Sequence, residues 1–221
     1  MKKNDRDNNH IKHLSGTRLF RGLSDEQCAA VFQEVKIKQL TLPPGDTIVR
    51  QGDVQNDFYY VCAGIVRGEK FHIEGGIHLV DNYEADDFIG LDTVCSTTRL
   101  APWTLTAGEE SPVLLKISAD DLLTCSFRED ILMNIIRMLA NENIKKAYKV
   151  NIVSKQSIRD RVLTFLLIRA EKTGKNEFHI RMTQEQLAQF LCVNRSSLSH
   201  ELSEMRRAGL IDFKSDYFKI L

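Results

Sequence analysis

Residues 183–207 read Thr-Gln-Glu-Gln-Leu-Ala-Gln-Phe-Leu-Cys-Val-Asn-Arg-Ser-Ser-Leu-Ser-His-Glu-Leu-Ser-Glu-Met-Arg-Arg, and their spacing predicts two short helices across a tight turn. Thr183 and Gln186 make a T-x-x-Q capping box, which opens the first helix at residue 184. Leu187, Phe190 and Leu191 give it an apolar face at helical spacing. Cys192-Val193 has room only for a turn, and Asn194 is a strong N-cap for the second helix. Leu198, Leu202 and Met205 form that helix's inward stripe, and Gly209 stops it. Its outward N-terminal face carries Arg195, Ser196, Ser197, Ser199 and His200, all hydrogen-bonding and none acidic. Such a face fits the DNA major groove, where arginine reads guanine and serine contacts bases or phosphates. An ordinary helical hairpin with a solvated face has the same pattern.

The flanks favour the DNA reading. Leu210–Phe213 and Tyr217–Leu221 are short strand-like runs around Lys214-Ser215-Asp216, the pattern of a β-wing, and Phe178–Arg181 supplies a matching strand upstream. Thr183, Arg195, Ser196, Ser197, Ser199, His200 and the wing residue Lys214 are therefore the candidate contacts to a double-stranded DNA operator. Charge points the same way. The whole chain is neutral, with 30 basic and 30 acidic residues, but residues 145–221 hold 15 Lys and Arg against 8 Asp and Glu. That net of +7 leaves −7 on residues 1–144. A basic module suited to phosphate is thus joined to an acidic one.

The length of 221 residues fits two modest domains, and 43% hydrophobic content suffices for packed cores. No apolar run approaches the ~18 residues of a membrane span, and the N-terminal Met-Lys-Lys-Asn-Asp-Arg lacks a signal peptide's apolar segment, so a cytoplasmic protein with no membrane partner is expected. Five cysteines, at 28, 62, 95, 125 and 192, form no C-x-x-C pair and suit free thiols in a reducing compartment. Cys62, Cys95, Cys125 and Cys192 are expected as small buried hydrophobes, with Cys95 the best candidate for a reactive thiol because Ser96-Thr97-Thr98 follows it. His10 and His13 share a helical spacing but sit in a polar tail expected to be disordered; His72 and His78 flank a hairpin. No metal site is predicted from them.

Residues 36–117 read as strands. Ser24 and Gln27 cap a short helix, and alternating runs then follow at Ile37–Leu40, Thr47–Arg50, Phe58–Cys62, Gly64–Glu69, Lys70–Ile73 and Ile77–Val80, the last two around a Gly75-Gly76 hairpin. Strands of about five residues broken by turns at this density predict a β-roll or barrel.

Pro44-Gly45-Asp46, Gly52-Asp53, Phe58-Tyr59-Tyr60-Val61, Gly64-Ile65-Val66 and Asp87-Phe88-Ile89-Gly90 stand in the order and spacing of the cyclic-nucleotide-binding β-roll. With the winged hairpin, the chain from residue 18 onward resembles a transcription regulator of the CRP/FNR superfamily. The resemblance implies an α+β protein with an N-terminal β-roll sensor over 1–126, a dimerisation helix and hinge over 127–155 and a winged helix-turn-helix over 156–221. It also places Arg195 where the family's guanine-reading arginine sits, and implies RNA polymerase as a further partner.

The expected dimerisation helix runs from Asp130 to about Lys155 without Gly or Pro, and Leu132, Ile136, Leu139, Asn143, Val150 and Val153 form a near-heptad stripe on it. A core helix within one subunit has the same stripe. Pairing of helix-turn-helix proteins on two half-sites favours a homodimer, with Asn143 as the polar residue that fixes register. Family members that bind cyclic AMP carry Gly-Glu for the ribose and, about ten residues on, Arg-Ser or Arg-Thr for the phosphate. This chain has Gly90-Leu91 and Ala101-Pro102. Leucine accepts no hydroxyl proton, alanine has no charge and proline lacks the N–H. Cyclic AMP in its usual pose is therefore not expected; the segment Leu91–Trp103 occupies the pocket position and takes a different small molecule or none, with Gly90, Leu91, Arg99, Ala101, Pro102 and Trp103 as the candidate pocket residues and Arg99 able to rescue nucleotide binding only if the loop is rearranged. Iron–sulfur members cluster three cysteines near the N-terminus, whereas only Cys28 lies in the first 60 residues here, so no cofactor is predicted. Other classes remain: a thiol or haem redox sensor of the same family, or a β-roll module that regulates a protein partner. An enzyme is not expected, since no Ser-His-Asp grouping, phosphate loop or H-E-x-x-H is present; Asp86-Asp87 and Asp120-Asp121 read as turn and helix-start acids.

Overall fold

The computed structural model describes residues 13–71, 77–180 and 182–221. The chain divides into two units, Met1–Ala140 and Asn141–Leu221.

In the first unit, helix α1 (Asp25–Glu34) starts at the expected capping box: the Ser24 hydroxyl accepts from the Gln27 amide at 3.3 Å, and the Gln27 side chain accepts from the Ser24 amide at 2.8 Å. The strands β1 (Ile37–Thr41), β2 (Thr47–Val49), β3 (Asp57–Ala63), β4 (Val66–Phe71), β5 (Ile77–Tyr83) and β6 (Phe88–Ile89) follow. A one-turn helix α2 (Leu91–Val94), strands β7 (Thr104–Ala107) and β8 (Val113–Ser118), and helix α3 (Ala119–Thr124) complete the roll. The strands form two antiparallel four-stranded sheets, ordered β1-β8-β3-β6 and β2-β7-β4-β5. The runs read separately at Gly64–Glu69 and Lys70–Ile73 share one strand over Val66–Phe71, β4, while residues 72–76, with the expected Gly75-Gly76 hairpin, lie outside the described residues.

The first sheet is covered on both faces, which explains why Phe58–Val61 is continuously apolar rather than alternating. Tyr59, Val61 and Leu114 join Val49, Val66, Ala101 and Leu105 in one core. Phe58, Tyr60, Leu115 and Ile117 face the other way, against Val31 of α1 and Leu122 of α3. Fully burying each such side chain stabilises by ~1.5–3 kcal/mol. The N-terminal segment does not behave as a free tail: Leu14, Leu19 and Phe20 are buried in this second core, and His13 Nε2 lies 3.2 Å from Asp86 Oδ1. Apolar Leu14 outweighs the polar composition around it. His10, His72 and the side chain of His78 lie outside the described residues.

Helix α4 (Arg128–Val153) carries two stripes. Ile131, Ile135 and Met138 bury into the first unit's core, and Asn134 beside them donates to the carbonyls of Leu19 at 3.1 Å and Arg21 at 2.8 Å. Ile136 is 57% exposed and Val150 63% exposed, with Asn143 also exposed. Leu132 is half-buried, and Leu139 packs on the first unit's core, so it is not a free member of the outer stripe as expected.

In the second unit, Ser157 caps helix α5 (Ile158–Thr173) by accepting from the Asp160 amide at 3.0 Å. Strand β9 (Glu177–His179), helices α6 (Gln184–Leu191) and α7 (Arg195–Arg207), and strands β10 (Ile211–Lys214) and β11 (Tyr217–Ile220) follow. The wing sheet is ordered β10-β11-β9 and antiparallel, so the predicted upstream strand does pair with the wing. Val162, Phe165, Leu166, Leu187, Leu191, Leu198, Leu202, Met205 and Phe218 close one core, which Ile152 from the end of α4 also enters. Cys28 and Cys125 are buried, Cys62 is half-buried, and Cys95 and Cys192 are exposed, contrary to the expectation for the last two. Both exposed thiols sit at helix ends, where the backbone turns out of the core.

Candidate functional site

The predicted hairpin forms, and its capping explains why. The Thr183 hydroxyl accepts from the Gln186 amide at 3.1 Å, while the Gln186 side chain accepts from the Thr183 amide at 2.8 Å. Helix α6 ends at Cys192, whose φ of 55° is left-handed without glycine's freedom. Arg161 supports this turn: its Nη1 donates to the carbonyls of Leu191 at 3.1 Å and Cys192 at 3.2 Å, and its Nε donates to Lys155 at 2.9 Å. Sequence reasoning passed over Arg161, because an arginine in an amphipathic helix gives no signal of backbone carbonyls 30 residues away. Asn194 occupies the N-cap of α7 with extended backbone but its side chain makes no cap bond there, unlike the expectation.

Leu198, Leu202 and Met205 are fully buried, which fixes the rotation of α7 about its axis. Arg195, Ser196, Ser197, Ser199 and His200 are then all exposed, as are Thr183 and Lys214. At 100° per residue, Ser196 and His200 lie opposite the buried stripe. The acids of α7 have basic partners: Glu201 Oε1 is 2.6 Å from Arg159 Nε, and Glu204 pairs with Arg207. Glu185 of α6 lies 3.7 Å from Arg195 Nε. The wing turn is pinned by His179 Nδ1, 3.0 Å from Asp216 Oδ1, and reverses at Ser215 with φ 56°. The result is a basic-edged helix presented at its N-terminus, where exposed donors and the positive helix end suit an anionic, base-bearing polymer.

The pocket predicted in the roll is only partly assembled from the residues expected. Gly90, Pro102 and Trp103 line it, together with Gln55, Tyr83, Ile89, Asp92, Thr93 and Leu105. Leu91 is buried in the core instead, because it begins α2 just after Gly90, whose φ of 80° turns the chain inward. Ala101 is likewise buried. Arg99 is drawn away: its Nη2 donates to Asp120 Oδ1 at 2.9 Å and its Nη1 to Asn56 Oδ1 at 3.3 Å. The Asp120 carboxylate holds the Arg99 guanidinium above its usual range.

Trp103 forms one wall of the cleft. A Cβ on Gly68 would stand 2.9 Å from the indole Nε1, so only glycine admits the ring there. Tyr83 is a hydrogen-bond partner of Trp103, and burial raises the Tyr83 phenol well above its ordinary value. What remains is a cavity of about 10 Å³, the room of a single water. The amide nitrogen of Gln55 is buried beside it without a protein hydrogen-bond partner. Gln55 and Tyr83 were not legible as pocket residues, since they reach the cleft from segments far from residues 91–103, whereas Asp92 and Thr93 fall in the stretch expected at the pocket. Desolvation of the sulfur raises the Cys95 thiol even though the residue as a whole is exposed, with Arg99 opposing and Asp92 reinforcing, the direction opposite to an activated thiolate. Burial also pushes Cys62 up to about 11. Among the described residues no three His, Cys, Asp or Glu side chains converge as metal ligands. No helix among them is long and apolar enough to cross a membrane.

The two modules match two known families: the cyclic nucleotide-binding domain over residues 39–129 and the Crp-like helix-turn-helix domain over residues 160–221. The relatives it resembles are regulators. The chain is 21% identical to electron transport regulator A of Shewanella oneidensis, over 80% of this chain and 72% of that one. It is 19% identical to the fumarate and nitrate reduction regulatory protein of Salmonella typhi, over 92% and 91%. Its fold matches the catabolite activator protein of Thermus thermophilus with a TM-score of 0.54 at 21% identity, covering 93% of this chain and 94% of that one. Fold and modules together define a transcription regulator with a cyclic nucleotide-binding-type roll and a helix-turn-helix. The chain belongs to the CRP/FNR superfamily.

Proposed function

We propose that the protein acts as a homodimer that binds an operator in double-stranded DNA by placing α7 in the major groove, under control of a small effector other than cyclic AMP. The observation that carries the DNA reading is the exposed row Arg195, Ser196, Ser199 and His200 on a helix whose other face is locked in the core. The surplus of seven positive charges on residues 145–221 supports it. Selection of bound duplexes from a random library, followed by affinity measurement with the Arg195→Ala variant, tests it. The variant is expected to lose operator preference, a bidentate guanine contact being worth roughly 1–3 kcal/mol; equal binding by variant and parent removes the assignment.

The dimer reading draws on α4. Met133, Ile136, Ala140, Asn143, Ala147 and Val150 are all exposed in the protomer and spaced alternately three and four residues apart. That is the a/d register of a two-stranded seam, and it is sharper than the stripe read from sequence. Two copies joined there present two recognition helices for two half-sites. RNA polymerase is the partner through which bound protein would act on transcription. The effector reading draws on the cleft around Gln55 and Trp103. A phosphate would find no cationic side chain among the described residues that line the cleft. Catalysis forms no part of this account.

A further inference from the structure

We infer that Glu185 buttresses Arg195 and thereby sets the base discrimination of the recognition helix, an inference that rests on the DNA-reading role proposed for Arg195. Glu185 stands in the first turn of α6 and Arg195 is the first residue of α7, so the hairpin turn brings the two helix starts together. The carboxylate Oε2 lies 3.7 Å from Nε of the guanidinium. The side chains are 56% and 68% exposed, which puts the pair on the solvent face rather than inside the domain.

The contact is an ion pair too long for a hydrogen bond, so what matters is the side of the guanidinium on which the carboxylate sits. A guanidinium carries one N–H on Nε and four on its two terminal nitrogens, all in one plane. A carboxylate on the Nε side orients that plane and leaves the terminal pair free, and guanine O6 and N7 need such a two-donor fork. An exposed ion pair at this distance adds little to folding. Its effect comes on docking, when water leaves and the arginine must choose an acceptor. With guanine opposite, Arg195 keeps Glu185 on one edge and the base on the other. Without guanine, the guanidinium turns to a backbone phosphate, and the Glu185 carboxylate is left facing that phosphate with like charge. The same residue thus rewards the right base and penalises the wrong pose. The other acids of the recognition helix cannot substitute, because Glu201 and Glu204 are held by Arg159 and Arg207.

The test uses the full-length protein and a duplex enriched by selection from a random library, together with versions in which each half-site guanine in turn is replaced by adenine. Fluorescence anisotropy gives the discrimination ratio for the parent, Glu185→Gln, Arg195→Ala and the double variant. At the guanine read by Arg195, Glu185→Gln is expected to lower the ratio about tenfold, mainly through tighter binding of the substituted duplex. In the Arg195→Ala background the same change is expected to leave the ratio where it was. Equal tightening of both duplexes by Glu185→Gln, or an undiminished effect without Arg195, overturns the buttress and leaves the DNA reading intact. A parent with no guanine preference, or an Arg195→Ala variant that discriminates like the parent, removes the DNA reading and the buttress with it.

Discussion

Arg161 shows how much of this fold one side chain can hold. It donates to three backbone carbonyls, at Lys155, Leu191 and Cys192, at the end of α6 and in the segment before α5. Charge-assisted hydrogen bonds of this kind contribute about 1.5–3 kcal/mol each before strain and solvent are counted. Arg161→Ala is therefore expected to destabilise the second unit by about 2 kcal/mol in urea melts, with Arg161→Lys recovering little because an ammonium lacks the planar fork. An unchanged midpoint would show that water replaces the guanidinium fully. Local rules read the helix starts well: Ser24 and Thr183 cap as their spacing implies, and Ser118 and Ser157 cap their helices in the same way. The same rules place Asn194 at its N-cap without the side-chain bond, and they misread Leu91 and Arg99. Leu91 turns inward because Gly90 is left-handed, and Arg99 is taken by Asp120, 21 residues on. On that basis isothermal titration is expected to show no micromolar binding of cyclic AMP or cyclic GMP; binding that disappears in Arg99→Ala would contradict it.

Helix α4 was legible as an element but not as a surface. Its sequence has apolar residues on more than one side, and periodicity alone cannot say which side meets the roll. Packing divides them: Ile131, Ile135 and Met138 go to the core, while Met133, Ile136 and Val150 stay exposed. The division separates two substitutions that sequence treats alike. Ile136→Glu is expected to yield a folded monomer with melting close to the parent, since Ile136 is 57% exposed in the protomer. Leu139→Glu is expected to lower stability by about 2–4 kcal/mol as well, because a charge would enter the core against which Leu139 packs. Sedimentation and thermal melts of both variants check this. A dimeric Ile136→Glu would place the interface elsewhere. The wing behaves similarly: its strands were readable from Leu210–Leu221, but the register that puts Phe218 opposite Phe178 is set by the core beneath them.

Across the whole molecule, a neutral total hides an acidic N-terminal stretch and a basic C-terminal one. The basic stretch governs how binding responds to salt, because each phosphate contact releases counterions. Lys214 is exposed at the end of β10, on the wing, and carries no base-reading geometry. Lys214→Ala is expected to weaken all duplexes about equally and to reduce the salt slope by about 1; a change confined to the operator would make it a base reader. The sensor function is less legible than the DNA function for a physical reason. Reading DNA needs an exposed face of known chemistry, which a helical period reveals, whereas a ligand cleft is assembled from side chains far apart in sequence, here Gln55, Tyr83 and Trp103. The central claim is that paired copies of α7 read DNA through Arg195. Selection from a random duplex library with the parent and with Arg195→Ala tests it most directly. The expected product is an inverted repeat with a guanine in each half-site about one helical turn apart, lost in the variant; no enriched repeat, or the same repeat from both proteins, would mean that α7 does not read DNA through Arg195.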